Sequence, residues 1–132
     1  MSEFVILFHK MPETSSRADH WDLMLEWEGS LVVWALESLP IEGETIRGTR
    51  LPDHRWDYLQ IQGPLTGGRG TVAQWAKGKC QWLEKGTLRQ VVQLEAPDIS
   101  WRVTIVDSKE RSATVKIESH SDGDSALGSA GS

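Results

Sequence analysis

Cysteine is nearly absent from this 132-residue chain, and the single Cys80 excludes an internal disulfide and a cysteine-based zinc site. No Cys/His motif surrounds it, so a catalytic thiol has no support. Long apolar runs are missing too: no stretch approaches the ~20 residues that a membrane span requires. The start, Met1 to His9, lacks a basic leader and a small-residue cleavage site, so no signal peptide is predicted and a cytoplasmic location is expected. Excess positive charge is also lacking. A formal net charge of −5 argues against a protein that coats DNA through bulk electrostatics.

What is present is uneven. Seven tryptophans stand against two phenylalanines and one tyrosine, Tyr58. Tryptophan supplies much buried area in few residues, which suits the core of a small barrel, and a surface ring can stack on a base. Charge is partitioned as well. Residues 1–46 carry two basic and nine acidic side chains, whereas residues 47–89 carry eight basic and three acidic. The middle third is therefore a candidate phosphate-facing region, with a solvated charge asymmetry as the plainer alternative.

Short apolar or alternating segments dominate, with strands expected at about 3–9, 20–27, 30–37, 57–62, 70–76, 79–84, 87–95, 100–107 and 112–118. Glu28-Gly29-Ser30, Lys77-Gly78 and Lys85-Gly86 read as turns, and 12–19 or 37–41 has room for a turn of helix. The predicted fold is mainly β: a small closed or crescent-shaped barrel with little helix, formed by residues 1–118. Residues 119–132 are Ser/Gly-rich and nearly free of large apolar groups, and are expected to be a disordered tail.

The stretch His20-Trp21-Asp22-Leu23-Met24-Leu25-Glu26-Trp27 is the most informative. Strand alternation puts Trp21, Leu23, Leu25 and Trp27 on one face and His20, Asp22, Met24 and Glu26 on the other. A histidine and an aspartate two residues apart on one face can aim at a common point, and imidazole with carboxylate suits Mn²⁺, Zn²⁺ or Fe²⁺. A surface-facing pair on an amphipathic strand has the same pattern. His9, at the end of the first strand, is expected to turn toward the same barrel mouth as His20. His54-Arg55-Trp56-Asp57-Tyr58 adds a third histidine inside the basic region. The glycine-dense run Gly63 to Val72 lacks the lysine and hydroxyl of a phosphate-binding P-loop and reads as a tight barrel corner.

Taken in order, these pieces resemble the 3′-phosphoesterase domain of bacterial DNA ligase D. The similarity is carried by Phe4 to His9, by Ser15-Ser16-Arg17-Ala18-Asp19-His20-Trp21-Asp22-Leu23-Met24-Leu25-Glu26, and by Gly29 to Ala35. His54 to Tyr58, Gly67 to Val72 with Trp75 and Gly78, and Ser100 to Val103 continue it, so that it spans residues 3–118. The resemblance implies a metal-dependent phosphoesterase, with Mn²⁺ preferred and Zn²⁺ an alternative. Its substrate would be a nucleic-acid 3′ end, DNA or a DNA/RNA primer terminus, from which a 3′-phosphate or ribonucleotide is removed during DNA repair. It places the metal ligands on His9, His20 and Asp22, and catalytic phosphate contacts on His54 and Tyr58. A monomer is expected, with any ligase or polymerase partner acting in trans.

The chain departs from the family pattern at telling positions. Met24 and Ser38 stand where the family has basic residues, and Pro52 stands where it has an acidic one. Ten residues separate His9 from His20, a longer connection than the family's. Arg47, Arg50, Arg17 and Arg69 are the candidate replacements for the missing phosphate-binding cations. Two alternatives follow from the departures: a non-catalytic module that binds metal and phosphate ends, and a phosphoesterase for a small nucleotide-like substrate.

Overall fold

The computed structural model describes residues 2–55, 62–65 and 68–120. Among the described residues nine antiparallel strands form: β1 Ser2–Lys10, β2 His20–Trp27, β3 Ser30–Leu36, β4 Thr45–Arg55, β5 Gly63–Pro64, β6 Thr71–Lys85, β7 Arg89–Ala96, β8 Ile99–Asp107 and β9 Ser112–Ser119. Their order is β1-β2-β3-β4-β9-β8-β7-β6-β5, and β6 pairs back onto β1. Eight strands thus close into a barrel, and β5 is a two-residue addition along β6. No helix among the described residues is long and apolar enough to cross a membrane.

Alternation builds the interior. Ile99, Trp101, Val103 and Ile105 on β8, with Ala113, Val115 and Ile117 on β9, bury every second side chain. Phe4, Ile6, Leu23, Leu25, Val32, Trp34, Leu36, Ile46, Cys80, Val92 and Leu94 complete the same cluster from the other strands. Each large apolar side chain enclosed here contributes on the order of 1.5–3 kcal/mol. An eight-stranded barrel is just wide enough for its own side chains to fill, so chemistry must be sought outside this core.

β1, β2 and β3 are buried on both faces. Val5, Leu7, Met24, Leu31 and Val33 point away from the interior and form a second apolar cluster with Val72, Leu51 and Leu65. The outer wall of these strands is therefore covered.

Three expectations need correction. β4 was not foreseen, because it offers Ile46 as its one fully buried apolar side chain and is interrupted by Gly48 and Pro52. Lys77-Gly78 is no turn: β6 runs unbroken from Thr71 to Lys85. A Cβ at Gly78 would lie 2.0 Å from the Glu95 carbonyl oxygen, so close strand packing explains that glycine. Residues 12–19 and 37–41 form turns, bends and irregular chain, without helix. The Glu28-Gly29 hairpin is present, with both residues at positive φ, 51° and 84°. Regular pairing continues to Ser119, and the His120 amide donates to the Ser100 carbonyl. The expected strand at 57–62, apart from residue 62, lies outside the described residues, as do Tyr58 and residues 121–132 of the expected tail.

Candidate metal centre

The register of β1 against β2 sets the centre. Antiparallel pairing puts Leu7 opposite Asp22 and His9 opposite His20, on the outward face that also carries Met24. Of the ten residues between the two histidines, Lys10 ends β1 and the other nine form the β1–β2 connection, so the longer link leaves this register intact. The Asp19 carboxylate ties that connection down by accepting the Met11 amide at 2.7 Å.

His9, His20 and Asp22 come together, with one ligand atom from each lying within 4.8 Å of the others. His20 Nε2 is 3.2 Å from Asp22 Oδ1, and His9 Nδ1 is 3.4 Å from Asp22 Oδ2. Ligand atoms ~2.1 Å from one ion stand roughly 3.0–3.4 Å apart at octahedral or tetrahedral angles, so both separations fit a shared cation. The imidazole rings are 4.6 Å apart, centroid to centroid.

Hydrogen bonding fixes which nitrogen is available. His20 Nδ1 donates to the Ala18 carbonyl at 3.1 Å, and His9 Nε2 donates to the Arg69 carbonyl at 2.7 Å. A carbonyl can only accept, so in the neutral imidazole each ring keeps its lone pair on the nitrogen that faces Asp22. His20 Nε2 and Asp22 Oδ1 are buried and make no hydrogen bond despite their 3.2 Å approach. Two inward-facing lone pairs beside a carboxylate leave a place suited to a cation, and the donor set fits a divalent ion.

The electrostatics agree. Contact with the Asp22 carboxylate raises the His9 imidazole above its ordinary 6.5, against the opposing effect of burial. Burial pushes the Asp22 carboxyl up, but contacts with His20 and His9 outweigh it and hold the group below its ordinary 3.8. Cys80 is remote in chemistry: burial, with help from the Glu26 charge, pushes its thiol up to about 12, which removes it as a nucleophile.

The three ligands open into a cavity of about 300 Å³ that is also lined by Arg17, Met24, His54 and Arg69. His54 reaches it because of a bulge. Leu31 pairs with His54 and Val33 with Leu51, so Pro52 and Asp53 together oppose Val32. Without that extra residue, His54 would fall on the face opposite Leu51; the bulge re-aims it toward the ligands. Proline is tolerated there because a bulge interrupts the ladder.

Two placements differ from expectation. The cluster sits on the outer wall of β1 and β2, not at the barrel mouth, because the interior face of those strands is filled by Phe4, Ile6, Leu23 and Leu25. Arg47 and Arg50 do not line this cavity. Arg47 is exposed opposite Thr114, seven residues along β4 from His54, a strand distance of about 23 Å. Arg50 pairs with Trp34 and lies against its ring. Sequence reading also missed the Ala18 and Arg69 carbonyls; backbone acceptors leave no residue-type signal.

The chain matches no protein-family model and no curated protein.

Proposed function

We propose that this protein is a divalent-metal-dependent phosphoesterase that acts on nucleic-acid 3′ ends, removing a 3′-phosphate or a terminal ribonucleotide. One observation carries the reading: His20 Nε2 and Asp22 Oδ1 are buried, converge to 3.2 Å and lack hydrogen bonds. Such atoms are costly unless a proton or a metal cation lies between them, and the convergence of His9 on the same point suits the metal.

His9 Nδ1, His20 Nε2 and the Asp22 carboxylate would hold the ion, Mn²⁺ by preference or Zn²⁺. When bound, a divalent ion supplies Lewis-acid polarisation of a phosphoryl oxygen. The remaining work falls to side chains. Arg17 and Arg69, at the rim of the cavity, offset the charge of an incoming phosphate. His54 donates a hydrogen bond to the phosphate or a proton to the leaving oxygen. Leu7, Leu51, Leu65 and Met24 supply apolar walls, and the resulting low polarity strengthens these contacts.

Met24 favours a second reading. It is 1% exposed and apolar, where the resembled family has an arginine beside the metal aspartate. A cavity with fewer cations suits a module that holds a phosphorylated end without cleaving it. Incubation with Mn²⁺ and a primer–template ending in a 3′-phosphate or a single ribonucleotide separates the two. Turnover that is lost in Asp22→Asn supports the esterase. Tight binding without turnover supports the module, and neither binding nor turnover refutes both.

A further inference from the structure

A second cavity, about 500 Å³, lies beside the first and shares Leu51 and Pro52 with it. Those two residues are neighbours on β4, so the two cavities adjoin and one strand of nucleic acid can enter both. The second cavity is lined by Arg50, Asp53, Asp107 and Arg111 as its charged groups.

We propose that this cavity is a subsite for an internal phosphodiester of the strand whose 3′ end enters the His9–His20–Asp22 cavity, with Arg50 and Arg111 as its phosphate-binding residues. The inference rests on the 3′-end reading above and makes an oligonucleotide, not a mononucleotide, the preferred substrate.

Arg50 is prepared for this task. Its guanidinium carbon lies 5.1 Å from the Trp34 ring centroid, and Trp34 is itself held by an indole N–H donated to Asp107 Oδ1 at 2.8 Å. One carboxylate oxygen of Asp107 is thereby bound to Trp34. The Arg50 Nε is enclosed and has no hydrogen-bond partner, while its Nη2 donates to Asp53 Oδ1 at 3.1 Å. That ion pair is solvent-exposed, with the two side chains 31% and 50% accessible. Exposed pairs of this kind contribute little and are readily exchanged. A phosphodiester offers the planar guanidinium two acceptor oxygens, so Asp53 occupies the place a phosphate would take.

Arg111 is held beside Arg50 by a strained turn. Glu110 and Arg111 adopt left-handed backbone at φ 60° and 65°, a conformation that non-glycine residues rarely adopt. The Arg111 Nη1 then donates to the Arg50 carbonyl at 3.2 Å, which brings two guanidinium-bearing residues to one lip. Strain that positions an arginine at the edge of an open polar cavity is consistent with recognition rather than packing, since no residue of that turn is buried.

The test compares Mn²⁺-dependent turnover of a short 3′-phosphorylated oligodeoxynucleotide with that of a 3′-phosphorylated mononucleoside, together with oligonucleotide affinity by fluorescence anisotropy across salt concentrations. Arg50→Gln and Arg111→Gln are each expected to weaken oligonucleotide binding ~10-fold and leave mononucleoside turnover unchanged. Each should also flatten the logarithmic salt dependence by about 0.7, the loss of one single-strand phosphate contact. Asp53→Asn should bind the oligonucleotide more tightly, an opposite shift that misfolding does not mimic. Equal wild-type preference for both substrates, or arginine variants that retain oligonucleotide affinity and salt slope, overturns the subsite while the esterase stands. Failure of the wild type to bind or turn over either substrate overturns the 3′-end reading itself.

Discussion

Gly70→Ala probes how the outer wall prepares its ligands. Gly70 has φ 92°, and a Cβ there would sit 2.2 Å from the Lys10 carbonyl oxygen. Ordinary contact requires roughly 3.5 Å, so the two backbones must part by about 1 Å. Left-handed backbone adds about 1–2 kcal/mol for alanine, and the clash raises the total to roughly 2–5 kcal/mol. The same displacement carries the neighbouring Arg69 carbonyl away from His9 Nε2, which now donates to it at 2.7 Å. Losing an outer hydrogen bond to a ligating histidine typically lowers metal affinity about 10–100-fold. Gly78→Ala is the control, because its Cβ would meet the Glu95 carbonyl at 2.0 Å on the β6–β7 wall. Urea unfolding with chelator, paired with Mn²⁺ calorimetry where all variants are folded, reads both quantities. The expected result is lower stability in both variants and weaker Mn²⁺ binding in Gly70→Ala alone. Wild-type Mn²⁺ affinity in a destabilised Gly70→Ala protein would refute the role given to Arg69.

Three further outcomes follow. In metal-free protein, the raised His9 group stabilises the fold fully below pH 6.5, and this contribution is lost as pH rises through its folded value. The lowered Asp22 group contributes above about pH 3.8 and is lost as pH falls through its own folded value, so melting temperature should show the pair's benefit between roughly pH 4 and 6.5. A wild-type profile matching that of His9→Gln would contradict the pairing. Met24→Arg, measured by thermal melting and by turnover of a 3′-phosphorylated end, should lower stability by about 1–3 kcal/mol, because it introduces a charge into an apolar cluster. It should also raise turnover, and an unchanged rate would assign the clamp to Arg17 and Arg69. Cys80→Ser should lower stability by about 1 kcal/mol and leave turnover intact, since the thiol is buried and raised to about 12; a loss of turnover in the folded variant would give the thiol a role.

How much was legible depends on where each signal is stored. Alternation in residues 20–27 and 99–107 is a local property, so β2 and β8 can be read directly and the barrel follows from their number and spacing. The pairing of His9 with His20 was readable only through strand ends. Which wall they faced depended on Val5, Leu7, Leu31 and Val33 being covered, a tertiary fact. β4 was hidden because its outward residues are Thr and Arg, and because its inward Gly48 carries no side chain: a Cβ there would crowd Ala35 O at 3.2 Å. The Pro52–Asp53 bulge is likewise silent in sequence, yet it decides where His54 points. Arg47 and Arg50 seemed equivalent by spacing, and only register separates one from the other.

The account stands on one cation being shared by His9, His20 and Asp22. Isothermal titration of chelator-treated protein with Mn²⁺ and Zn²⁺ tests it most directly. The expected result is one ion per chain, with binding abolished in a folded His20→Ala variant. No heat from either ion, or binding that survives intact in His20→Ala, would contradict it.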